Sequence, residues 1–201
     1  MAHWKTNETK ALIEFYRFSK TYITDVIERN SLNKDKDVLE ELLKIISSSI
    51  GSLTNPTKLS NTFNLIKKYS ISASKINNYL GKFIDAFILH KVYRYDVKGK
   101  KYIDTPLKYY FEDVGLRTAR LNFRQQEENH IMENIIYNEL IIRGFDVGIG
   151  VVEYNFKDES GKSKRIQYEI NFVANSGSRR VYIQSALNIS STKKENRKVN
   201  H

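Results

Sequence analysis

The sequence predicts an α/β (α+β) protein in two parts, on three observations. Apolar residues recur at helical spacing through the first part of the chain, strict alternation sets in around Gly99, and a last long helical pattern precedes three alternating runs separated by polar turns. At 201 residues the chain can hold one generous domain or two small ones, each with its own core. Its apolar runs break after a handful of residues, which excludes a membrane-spanning helix. With no cysteine there is no disulfide, thiol chemistry or cysteine-ligated zinc, and without an apolar core near the N-terminus to act as a secretion signal a cytosolic protein is expected.

The elements follow in order. Leu12, Ile13, Phe15, Tyr16, Phe18, Tyr22, Ile23, Val26 and Ile27 put a thick apolar face on one or two helices over residues 9–29. Asp37 is the expected N-cap of a helix whose stripe is Leu39, Leu42, Leu43, Ile46 and Ile50, ended by Gly51. Asn55 followed by Pro56 opens a short helix with Leu59, Phe63 and Ile66. Ser72 caps the next, with Ile76, Tyr79, Leu80, Phe83, Ile84, Phe87 and Ile88 inside and Ser74, Lys75, Asn78 and Lys82 on the outward face. VYRYDVKGKKYI then alternates on both sides of a Gly99 turn, a β-hairpin with Lys98, Lys100 and Lys101 at its tip.

Helices followed by a basic hairpin have the order of a winged helix-turn-helix, whose last helix reads the major groove while flanking cations hold phosphates. Charge agrees with that use: residues 62–124 carry thirteen basic side chains against five acidic ones, or +8 of the chain's formal +10. A concentrated positive field draws polyanions, so DNA is the first partner expected, with Lys75, Asn78, Lys82, Lys98, Lys100 and Lys101 as its contacts. This module is expected to occupy residues 1–104.

The second module is expected over residues 105–190. LKYYFED reads as a strand, VGLRTARL as a short helix, and Gln126 to Arg143 as the longest helix of this module, with Met132, Ile135, Ile136 and Leu140 inside, Glu133 on the shoulder and Gly144 as stop. FDVGIGVVEYNF, RIQYEINFVA and VYIQSALNI then form a three-stranded meander. In the second of these, Ile166, Tyr168, Ile170 and Phe172 share one face, leaving Gln167, Glu169 and Asn171 on the other. In the third, Val181, Ile183, Ser185 and Leu187 oppose Tyr182, Gln184, Ala186 and Asn188. The tail, residues 191–201, has no apolar periodicity and is expected to be disordered, as in a chain shortened there.

A helix bearing an acid, a strand bearing a second, and a strand bearing an acid-x-Lys triplet make the arrangement of PD-(D/E)xK nucleases, where carboxylates hold a divalent metal and lysine assists the attacking water. Here those positions read Glu133, Asn171 and Gln184-Ser185-Ala186, so two carboxylates and the ammonium are missing and the site is expected to be inactive. An active nuclease would have to use Glu133 and Glu169. No cofactor is expected. Gly161-Lys162-Ser163 imitates the end of a P-loop, but the earlier glycine would fall at Phe156, and Gly148 and Gly150 are a lone pair. His3 and His201 are terminal, and His90 and His130 lack a second histidine at ligand spacing.

The stretches ISASKINNYLGKFIDAFILHKVYRYDVKGKKY, TPLKYYFEDVGLRTARLNFRQ, ENIIYNELIIRG and YEINFVA with YIQSAL resemble the C-terminal half of prokaryotic AAA-type ATPases, over roughly residues 20–190. In that group an ATPase domain precedes a winged helix and a domain of unknown function related to restriction endonucleases. The ATPase domain is absent from this chain, so the resemblance implies a regulatory, DNA-associated or partner-binding portion. Members often carry Asp in an EIDFV-like strand, and Asn171 departs from that pattern. The expected function is therefore non-catalytic DNA binding. The alternatives are a metal-dependent nuclease, and an interaction module whose apolar face over residues 12–27 docks an ATPase domain in trans or a second copy.

Overall fold

The computed structural model describes residues 3–29, 35–67, 70–124, 127–157 and 159–187. The tail expected to be disordered lies outside them. Four helices come first: α1 (His3–Arg29), α2 (Lys36–Ser48), α3 (Pro56–Lys67) and α4 (Ala73–Asp85). The hairpin β1 (Leu89–Asp96) and β2 (Lys101–Phe111) follows, then α5 (Val114–Arg120), α6 (Glu128–Ile142), β3 (Asp146–Lys157), β4 (Ser163–Ser176) and β5 (Arg179–Ile183). No described helix is long and apolar enough to cross a membrane.

The strands form one open, mixed sheet in the order β2-β1-β3-β4-β5. The expected hairpin and the expected meander are both present, and they are joined: β1 pairs with β3 in parallel, Arg94 opposite Ile149 and Asp96 opposite Val151. Residue 104, the expected module boundary, lies inside β2, and the sheet takes strands from both sides of it. One hydrophobic cluster runs from Ile23 and Ile27 of α1 through Leu42, Phe63 and Phe83 to Tyr110, Ile149 and Phe172 of the sheet. Burial of that continuous apolar surface is the main force holding helices and sheet together.

Local chemistry explains most of the boundaries. The Ser72 hydroxyl accepts from Lys75 N–H at 3.2 Å, and Asn55 Oδ1 accepts from Lys58 N–H at 2.7 Å, so α4 and α3 start where their caps predict. α2 starts two residues earlier than expected: Asp35 holds the cap position, and Asp37 sits in the first turn. Phe87, expected inside α4, lies beyond its C-cap at φ 54° with its ring in solvent, and Ile66 of α3 is exposed as well. In α6 the residues fully buried are Asn134 and Tyr137, not Ile135, which is exposed. The reason is polar. Asn134 Oδ1 accepts from Phe111 N–H at 2.8 Å and its Nδ2 donates to Phe111 O at 2.7 Å, so a side-chain amide completes the backbone of edge strand β2. Ile136 and Leu140 of the expected stripe still pack against the core, partly buried, and only Ile135 turns outward.

The alternation expected for β4 also breaks. Gly148 pairs with Val173 and Gly150 with Ile170, so β4 spends three residues where β3 spends two, a β-bulge at Asn171 and Phe172. Both side chains consequently reach α6: Asn171 bonds Glu133, and the Phe172 ring packs 6.3 Å from that of Tyr137.

Candidate functional site

The bulge assembles a polar cluster beneath α6. Glu133 projects from α6 with a side chain 13% exposed, and both of its oxygens are engaged. Oε1 accepts from Asn171 Nδ2 at 2.6 Å, and Oε2 accepts from the Tyr110 hydroxyl at 3.2 Å and from Lys108 Nζ at 3.4 Å. The same ammonium lies 2.7 Å from Glu169 Oε1 and is itself only 4% exposed. At the end of β5, Ser185 N–H donates to Asn171 Oδ1 at 3.0 Å, and Gln184 Oε1 accepts from Asn171 N–H at 3.4 Å. Burial, with Glu133 beside it, pushes the Tyr110 hydroxyl far above the ordinary phenol range, so it remains a donor.

The structure thus brings together all four residues weighed for catalysis, Glu133, Glu169, Asn171 and Gln184, and adds a fifth. Lys108 comes from β2, not from the strand after Asn171 where the nuclease pattern has its lysine. Its signal in the sequence was a single charge within the apolar run LKYYF of a strand buried on both faces.

Chemically the cluster is closed on itself. A divalent ion needs oxygen lone pairs converging on one point. Here the lone pairs of Glu133 already face three N–H or O–H donors, Asn171 uses both ends of its amide, and a fixed ammonium stands between the two carboxylates. These residues do not fit magnesium. Among the described residues no three His, Cys, Asp or Glu side chains are grouped as metal ligands. His90 is paired with Glu112 and packs edge-on against Tyr137, and His130 lies 4.0 Å from Glu127. Gly51 is tied to this neighbourhood: at φ +70° it sits so close that an added Cβ would meet His130 Nδ1 at 2.9 Å and Glu133 Oε2 at 3.2 Å.

The expected DNA contacts fall at two places. On α4, Asn78 is exposed, Lys82 half-buried, and Lys75 bound to Asp35 at 2.9 Å. A hydrogen bond from Lys75 is the leading cause that holds the Asp35 carboxyl below its ordinary range. At the hairpin, Lys98, Lys100 and Lys101 are all exposed, and Lys98 donates to Glu153 O on β3 at 2.7 Å. At about 3.3 Å per strand residue, the turn is roughly 30 Å along β1 from the C-terminal end of α4.

This chain is 30% identical over 172 residues to an uncharacterized protein of Haemophilus influenzae (strain ATCC 51907 / DSM 11121 / KW20 / Rd). The match takes in 86% of the chain and 39% of that relative's length. No solved structure matches. The model of one family matches residues 2–127, which take in α1 through α5 with β1 and β2, and on that match the chain belongs to the family described as Domain of unknown function (DUF8612).

Proposed function

We propose that the chain is a non-catalytic, DNA-binding regulatory module, of the kind that follows the ATPase domain in prokaryotic AAA-type ATPases. In this reading the winged helix-turn-helix is formed by α2, α3, α4 and the β1–β2 hairpin, and an endonuclease-like scaffold by α6 with β3, β4 and β5. The observation that carries it is the Lys108 ammonium, 2.7 Å from Glu169 and 3.4 Å from Glu133, in the cluster where a nuclease would hold its metal. A chain that keeps the geometry of such a centre while neutralising it internally keeps a scaffold and not a reaction. The formal charge of +10 supports a polyanionic partner. A nuclease using Glu133 and Glu169 is the reading this geometry favours least.

Filter binding to duplex DNA tests the proposal. Five lysine–phosphate contacts predict an affinity that falls about five-hundredfold between roughly 50 and 200 mM salt. Binding that is absent, or indifferent to salt, would remove it. One observation favours a second reading, an interaction module. α1 leaves Leu12, Ile13 and Phe18 exposed, a face suited to an ATPase domain in trans or to a second copy. Sedimentation of the isolated chain addresses the second copy directly.

A further inference from the structure

The sheet has a second side, facing away from Glu133 and α6, and strand register assigns its residues. Residues directly opposite one another on neighbouring strands point to the same face. Tyr95 lies opposite both Tyr102 and Gly150, Gly150 opposite Ile170, Val152 opposite Tyr168, Tyr154 opposite Ile166, Phe156 opposite Lys164, and Val173 opposite Tyr182. Tyr93 joins them by alternation from Tyr95, and its ring meets that of Tyr102 edge-on. Five tyrosines of this face, Tyr93, Tyr102, Tyr154, Tyr168 and Tyr182, are 37% to 54% exposed. They span all five strands of the sheet, about 19 Å at the usual strand spacing.

Cations are set among the rings. Lys91 Nζ lies 4.7 Å from the centroid of Tyr93, Lys98 Nζ 5.9 Å from that of Tyr154, and the Arg180 guanidinium 4.9 Å from that of the buried Tyr95. Among the described residues two acids fall on this face: Asp104, exposed and two residues along β2 from Tyr102, and Asp146, which accepts the Tyr102 hydroxyl hydrogen bond at 2.7 Å. Gly148 makes room for that bond: an added Cβ would touch the Tyr102 ring at 3.3 Å. Burial, followed by that bond to Asp146, pushes the Tyr102 hydroxyl up to about 12, so the ring stays neutral across the physiological range.

A face of exposed tyrosines on which Lys91, Lys98 and Arg180 outnumber Asp104 and the hydrogen-bonded Asp146 complements a ligand that is itself aromatic and polyanionic. Within a duplex the base faces are stacked on one another and only edges and phosphates are offered, whereas an unpaired strand offers both its π-faces and its phosphates. We infer that this tyrosine face binds single-stranded nucleic acid, with bases stacked on Tyr154 and Tyr168 and phosphates held by Lys91, Lys98 and Arg180. The inference rests on the nucleic-acid-binding reading above and adds a surface and a strandedness to it. Recognition of this kind is tolerant of sequence, because every base has a face to stack.

Fluorescence anisotropy with a labelled oligothymidylate, and with a duplex of equal length, separates the two claims. The chain is expected to prefer the single strand. Replacing both exposed rings, Tyr154→Ala with Tyr168→Ala, is expected to weaken single-strand binding about thirtyfold or more, while Tyr154→Phe with Tyr168→Phe stays within about threefold. Lys98→Ala with Arg180→Ala should flatten the salt dependence. Duplex binding that is equal or tighter, with the alanine pair without effect, overturns the tyrosine face and leaves the DNA-binding reading standing. Binding to neither probe overturns both. An alanine pair that changes sedimentation but not oligonucleotide affinity also overturns the inference, and assigns the face to contact between copies.

Discussion

Lys108→Ala is expected to lower the melting temperature by roughly 10 °C, because it leaves Glu133 charged and buried without its cation. Truncating one member of a buried ion pair costs about 3–5 kcal/mol. The lower end applies here, since Glu169 is 37% exposed and water screens its share, while Glu133 retains the Asn171 and Tyr110 hydrogen bonds. For a chain of 201 residues about 1 kcal/mol corresponds to roughly 2–4 °C. The origin of the loss is checked by a cycle: Lys108→Ala with Glu133→Gln should be less destabilised than the sum of the single changes by about 0.5–3 kcal/mol. Additive losses, or a shift below about 1 °C, would mean that the ammonium is not held between the carboxylates.

Phe172→Ala carries the other large effect. Its ring is fully buried, 5.9 Å from the ring of Tyr110 and 6.3 Å from that of Tyr137, and a buried Phe truncated to Ala loses about 3–5 kcal/mol. The number discriminates between two strand geometries. Plain alternation would put Phe172 beside Tyr168 and Ile170 on the half-exposed outer face, where truncation costs little. The bulge puts it under α6. Urea unfolding of Phe172→Ala and Phe172→Leu, with about 1.5 kcal/mol or less for the leucine, therefore measures whether β4 is bulged at the cluster.

The helical part was legible because its signals are local. Ser72 and Asn55 cap helices within three residues, and Leu39, Leu42, Leu43 and Ile46 form a stripe that needs no knowledge of the partner it packs against. The hairpin at Gly99 and the meander were legible for the same reason. The rest depends on contacts distant in sequence. The parallel pairing of β1 with β3 joins residues 94–96 to 149–151, and nothing in either segment specifies the other. Hydrophobic spacing placed Ile135 inside α6, but the Asn134 amide bonded to Phe111 overrides it. Glu133, Glu169, Asn171 and Gln184 do converge, through the bulge, which alternation alone cannot show. Lys108 looked like one member of a basic run, since its carboxylates lie 25 and about 60 residues away.

In the proposed reading the ammonium of Lys108, 2.7 Å from Glu169 and 3.4 Å from Glu133, stands in for a bound divalent cation and the cluster carries out no reaction. Calorimetric titration of the chain with manganese, followed by incubation of the same samples with supercoiled plasmid, tests this most directly. The account predicts no saturable heat and an intact plasmid. Stoichiometric manganese binding with nicking of the plasmid, both lost in Glu169→Gln, would contradict it.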